Sequence, residues 1–164
     1  MVSLLVHAIL GVAVLVFLVK SNSAVFARFP SGPQVSALEV FYYVVGIASI
    51  GFGYYFNYRY VQEYSVPGAH NPFWGHASWA EFIGLGYANP AAASASEDYT
   101  IMSLLILPVF TVVDGRRRGI KHSWLYVGFV LFASSSFAWA FYLATAERQR
   151  RHQLADTRAP LAAS

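Results

Sequence analysis

The chain has 164 residues, of which 57% are hydrophobic, 17% aromatic and only 12% charged, against about 25% charged in an ordinary soluble domain, so water is not its main solvent. The net charge of +3 and the basic clusters suit contact with anionic lipid headgroups, while the lack of a basic helix or an aromatic platform for bases argues against nucleic acid. There is no cysteine, which excludes disulfides, thiolate catalysis and cysteine-ligated metals or clusters.

The apolar stretches predict an all-α polytopic membrane protein: a bundle of four transmembrane helices at about 2–19, 36–58, 94–113 and 123–146. Each is near the roughly 20 residues that cross a bilayer core or reaches that length with its flanks. Residues 1–151 form one domain, and 152–164 read as a mobile polar tail. The first stretch has no positive n-region and a poor cleavage site at Asn22-Ser23-Ala24, so it is expected to stay as a helix. The prolines of the 29–33 connector cannot continue it.

Helix two starts near Ser36 and closes in the aromatic set Tyr54 to Tyr60, an interfacial belt. The loop from Glu63 to Ala88 is too short and glycine-broken to span. Its Phe73, Trp74, Trp79, Phe82 and Tyr87 predict an interfacial amphipathic helix at about 73–88. Asn89-Pro90 is a helix start. Pro108 is expected to kink helix three by freeing the Leu104 carbonyl. Gly128 and the Ala133-Ser134-Ser135-Ser136 run on helix four, with Ser49 and Gly53 on helix two, read as small-residue packing faces.

With four crossings, Lys20, Arg28, Arg116, Arg117, Arg118 and Lys121 share one side and Arg59, Arg148, Arg150, Arg151 and Arg158 the other, six against five. The compact 116–121 hairpin is placed in the cytoplasm and both termini outside. Localisation in a cell membrane, the bacterial inner membrane, is expected.

From about Ser36 to Arg151 the order of features resembles an uncharacterised bacterial membrane-protein family known as domain of unknown function 2834. The pieces are Tyr55-Phe56-Asn57, Tyr87-Ala88-Asn89-Pro90-Ala91, Asp98, Asp114-Gly115-Arg116-Arg117-Arg118-Gly119-Ile120 and Trp124-Leu125-Tyr126. The resemblance implies a three-helix unit, so helix one is an addition here, and it implies no catalytic residue.

The strongest polar constellation under this topology is His7, Asn57, Arg59, Glu97 and Asp98 near the outer interface. Read as chemistry, Asp98, Glu97 or His7 would be the acid, since a carboxyl partly stripped of water has a raised pKa. Read as structure, Arg59 pairs with Glu97 or Asp98. At the inner interface Glu39 is expected to pair with one of Arg116, Arg117 and Arg118, beside Asp114. His70 and His76 share a loop with Glu63 and Glu81 but match no metal-site spacing, so neither a metal nor a cofactor is expected. The first reading of function is a non-enzymatic accessory or interaction subunit of a larger membrane assembly, such as an energy-transducing complex, with lipids and other membrane subunits as partners. The alternative is an enzyme or carrier for a lipophilic small molecule, an isoprenoid, sterol-like compound or quinone.

Overall fold

The computed structural model describes residues 2–68, 71 and 73–162, with side chains described over 4–68, 71 and 73–157. Among the described residues all regular structure is helical. Helix α1 (Val2–Ser21) is followed by an irregular strap, then α2 (Ala37–Tyr64), the short α3 (Trp79–Leu85) and α4 (Pro90–Thr100). A π-helical turn (Ile101–Ile106) leads into α5 (Leu107–Arg118), a 3-10 turn (Ser123–Val127), α6 (Gly128–Phe132) and α7 (Ser135–Ala162). Among the described residues three helices are long and apolar enough to cross a membrane: Leu4–Ser21, Ala37–Tyr64 and Pro90–Arg118.

The fourth expected span is not one helix. Were 123–146 continuous, Tyr126 and Thr145 would stand about 28 Å apart, yet the Tyr126 hydroxyl donates to Thr145 Oγ1 at 2.9 Å. Farther along, Phe129 packs on Phe137 at 5.0 Å and on Phe141 at 5.7 Å. Partner numbers fall as residue numbers rise, so α6 and α7 form an antiparallel helical hairpin. The chain reverses at Ala133 (φ −131°, ψ −86°). Ser134 starts the new helix, its hydroxyl accepting from the Phe137 N–H at 3.0 Å, which is what a serine does at a helix N-cap.

The tip of this hairpin is held inside the bundle. Ser49 of α2 and Ser134 share a hydroxyl bond of 2.8 Å, Ser103 of the π turn bonds Ser135, and Tyr54 donates to the Phe132 carbonyl at 3.1 Å. Ser49 lies ten residues past Glu39, about 15 Å along α2. The tip therefore reaches the middle of the membrane-length helices, where a non-helical turn survives only if its backbone is satisfied by protein. A Cβ on Gly46 would stand 3.1 Å from Phe137 and 3.2 Å from Ala140. That glycine lets α2 and α7 approach.

Of the anticipated packing residues, Ser49 and Ser135 make the bonds just described, Gly128 faces Val14 of α1 and Gly53 lies beside Ser134. Around Pro108, where a kink was expected, the helix is continuous and a π-helical turn precedes the proline. The Leu107 N–H donates to the Met102 carbonyl five residues back, and the α-helix resumes with proline in its first turn, where its missing donor is tolerated. The wide turn also directs Ser103 into the core. Helix α3 lies within the 73–88 segment where a short helix was expected, and residues 152–162, expected as a tail, continue α7 as helix.

The core is aromatic: Tyr126, Phe129, Phe137, Phe141 and Tyr142 pack with Leu18 and Leu107. The hairpin's reversal also moves the C-terminal segment. Lys20, Arg28, Arg116, Arg117, Arg118, Lys121, Arg148, Arg150 and Arg151 gather at one end of the molecule, Arg158 follows on the same helix, and of the 11 basic residues Arg59 alone stands at the other end. This corrects the even split expected from four crossings.

Candidate functional site

Two interlocked polar clusters form the basic end. In the first, the pattern Ser36-x-x-Glu39 closes a capping box at the start of α2. The Glu39 carboxylate accepts from the Ser36 N–H at 2.8 Å, and the Ser36 hydroxyl accepts from the Glu39 N–H at 3.1 Å. Glu39 is fully buried. Its charge is met by Arg148, at 3.0 Å, and by Arg151.

Arg148 also donates to the carbonyls of Gln34 (2.8 Å) and Ala27 (2.9 Å), and Arg151 donates to that of Pro33. The strap is thus wrapped around the end of α7. Phe29 lies under both guanidinium groups, 5.1 and 4.2 Å from ring centre to carbon, and stacks on His152 at 4.1 Å. The Gln34 amide locks Phe29 by two 3.0 Å bonds to its backbone. The expected pairing of Glu39 with the 116–118 run is therefore corrected: α7 returns to this end and offers Arg148 and Arg151 from a directly packed helix.

The second cluster lies at the α5 turn. Asp114 accepts from Arg118 at 2.6 Å and from the Tyr142 hydroxyl at 2.8 Å, while the Arg118 carbonyl takes the Gln149 amide at 2.8 Å. Gly119 has φ +74°, and the Ile120 N–H reaches back to the Gly115 carbonyl at 2.8 Å, the 6→1 bond of a left-handed helix stop. A Cβ on Gly115 would fall on the side chain of Ser123. Both glycines of Asp-Gly-Arg-Arg-Arg-Gly-Ile are thus required by geometry. Asn22 ties α1 to this turn, accepting from the Lys121 N–H at 2.7 Å and donating to its carbonyl at 3.0 Å. Arg116 and Arg117 stay exposed.

The outer constellation is not assembled. Arg59 pairs with Glu63, one turn away on its own helix, instead of Glu97 or Asp98. His7 stacks on Trp79 at 5.3 Å. Asn57 is part-buried, while Glu97 and Asp98 are exposed, and none of these three has an ion pair or side-chain hydrogen bond among the described residues. In the loop, Glu81 accepts from the Ala77 N–H at 2.6 Å and Tyr60 at 3.0 Å, with His76 3.6 Å away. His70 lies outside the described residues.

The sequence reading missed Arg148 and Arg151 as partners of Glu39, and missed Phe29 and Gln34 as the strap residues that seat those two arginines. The capping-box spacing at Ser36 was the available signal for Glu39; nothing local marks the others, since the pairing spans more than 100 positions. Ser134 carried an N-cap signal that reads as a packing face when helix four is taken as continuous.

This arrangement defines a small all-helical membrane-type bundle in which three long apolar helices surround a helical hairpin that enters and leaves at the same end. Residues 41–148 match the family described as Protein of unknown function DUF2834, and the chain belongs to that family. The match holds Asp114, Tyr142 and the hairpin, and ends at Arg148; α1, the strap, Glu39 and Arg151 lie outside it. Comparison with curated proteins and with solved structures gives no match.

Proposed function

We propose that the chain is a non-enzymatic integral membrane protein that docks other membrane subunits, an accessory component of a larger assembly. The observation that carries this is the placement of Glu97 and Asp98. They project from the outside of α4, exposed and unpaired, whereas the interior between helices is filled by the Tyr126, Phe129, Phe137, Phe141 and Tyr142 cluster. An enzyme or carrier for a lipophile needs its acid inside a cavity; a docking subunit needs it on the surface, where a partner supplies the opposite charge. Long exposed apolar faces on α1 and α2, including Leu5, Ile9, Phe41, Ile47 and Phe52, give the same support.

The basic end belongs in the cytoplasm by the excess of Lys and Arg on that side, which places the α5 turn, the strap and the C-terminal part of α7 inside and the N-terminus outside. A photo-crosslinking residue in place of Ser94, one turn from Asp98, tests docking in native membranes. A stoichiometric protein adduct supports it. A chain that crosslinks only to lipid and purifies with one enriched lipophile overturns it in favour of a carrier or enzyme.

A further inference from the structure

We propose that the cytoplasmic end of α5 holds an anionic phospholipid, one acyl chain lying along the helix and the phosphate on Arg117. Leu105, Ile106, Val109, Phe110 and Val113, with Asp114 and Arg117 at one end, line an open groove of about 500 Å³. Leu105 and Val109 are 61% and 65% exposed, so nothing among the described residues covers it.

The dimensions fit one leaflet. From Leu105 to Val113 the face rises about 12 Å, and Arg117 stands about 6 Å farther on. Half of a bilayer core is about 15 Å. The apolar part is thus the length of a chain in one leaflet, and the guanidinium reaches the headgroup level.

The charges select the occupant. Asp114, the nearest acid, is taken by Arg118 and Tyr142. Arg117 and its neighbour Arg116 are left exposed, with no carboxylate in ion-pair distance among the described residues. A free arginine presents a fork that matches phosphate oxygens, and the cytoplasmic leaflet is the anionic one. A second copy is disfavoured on the same face. Two chains inserted in one orientation and meeting on this face would set Arg117 against Arg117. The inference rests on the membrane placement above and not on the docking role.

The test is native mass spectrometry of the full chain in detergent micelles doped equally with phosphatidylglycerol and phosphatidylcholine. Phosphatidylglycerol should be retained in excess by the unaltered chain, and Arg117→Ala should lower that excess about fivefold. Val109→Trp, which fills the groove and leaves the charges in place, should reduce retention of both lipids. Both positions are exposed, so helical content and monodisperse elution should be unchanged. Equal retention of the two lipids by the unaltered chain, or an unaltered ratio in Arg117→Ala, would overturn the proposal. So would a bound protein in place of lipid on this face.

Discussion

The two ends of the molecule differ in the reach of their ion pairs, and those between distant segments lie at the basic end. At the basic end local pairs, Arg118 with Asp114 and Arg150 with Glu147, are joined by partners far apart in sequence: Asn22 with Lys121, Glu39 with Arg148 and Arg151, Asp114 with Tyr142. At the other end the ion pairs are local, Arg59 with Glu63 and His76 with Glu81, and Glu97 and Asp98 have no partner among the described residues. A local pair reinforces its own helix or turn, whereas a long-range pair ties separate segments together. The basic end therefore fixes the tertiary arrangement, and the opposite end leaves side chains available to other molecules.

The largest expected effect comes from Glu39→Gln, which leaves Arg148 and Arg151 in place without the buried charge they share. Breaking a buried ion pair by removing one partner costs about 3–5 kcal/mol, so thermal unfolding in detergent should begin far earlier. Arg59→Ala at the other end removes an exposed pair that water and salt screen, so the melt should hardly move. Similar melting of the two variants would erase the contrast between the ends.

Glycine gives a second comparison. Gly115→Ala drives a methyl group into Ser123 at the α5 turn, and overpacking of this kind costs about 1–3 kcal/mol. Gly84→Ala in α3 meets nothing within 4 Å and should change stability by no more than about 0.5 kcal/mol in either direction, the range of a featureless surface site. Thermal melts of the pair decide it: an equal loss at both positions would mean that the turn yields where the packing says it cannot.

The three long spans were legible because length and hydropathy alone mark them. The hairpin was not, because 123–146 has the composition of a span and the reversal depends on Ser134 capping α7 while Ser49 and Ser103 receive the tip. A serine inside an apolar run reads equally as a packing residue or as a cap, and only the tertiary partners distinguish them. The even basic count followed from that one misreading. Once α7 returns, Arg148 and Arg151 reach Glu39 and the charge asymmetry becomes plain. The outer constellation failed for another reason. Residues predicted to share a depth need not share a face, and Arg59 found Glu63 at one helical turn, where the entropic cost of pairing is smallest.

The tip itself should respond modestly. A double-mutant cycle on Ser49→Ala and Ser134→Ala measures their hydroxyl bond, and interhelical bonds of this type in membrane proteins average about 0.6 kcal/mol. Zero coupling would mean that shape holds the tip, through Gly46 and the aromatic core.

The smallest effect is acid loosening of α3. The Glu81 carboxylate lies below the ordinary glutamate range, first because the Ala77 N–H donates to it. Burial opposes that shift, while the Tyr60 hydroxyl and His76 add to it. Ala77 sits at φ +55°, a left-handed conformation that a non-glycine residue adopts at a cost, so its amide bond to Glu81 also holds the backbone there. A depressed pKa means that the folded form favours the charged carboxylate. Its contribution is complete above the unfolded value, roughly 4, and is lost as pH falls through the depressed one. Trp79, stacked on His7, reports the change by fluorescence. The step that belongs to Glu81 should fall in acid below about pH 5, and Glu81→Gln should remove it. A step that persists in Glu81→Gln would assign the acid response to another group and leave α3 held by its aromatic contacts alone.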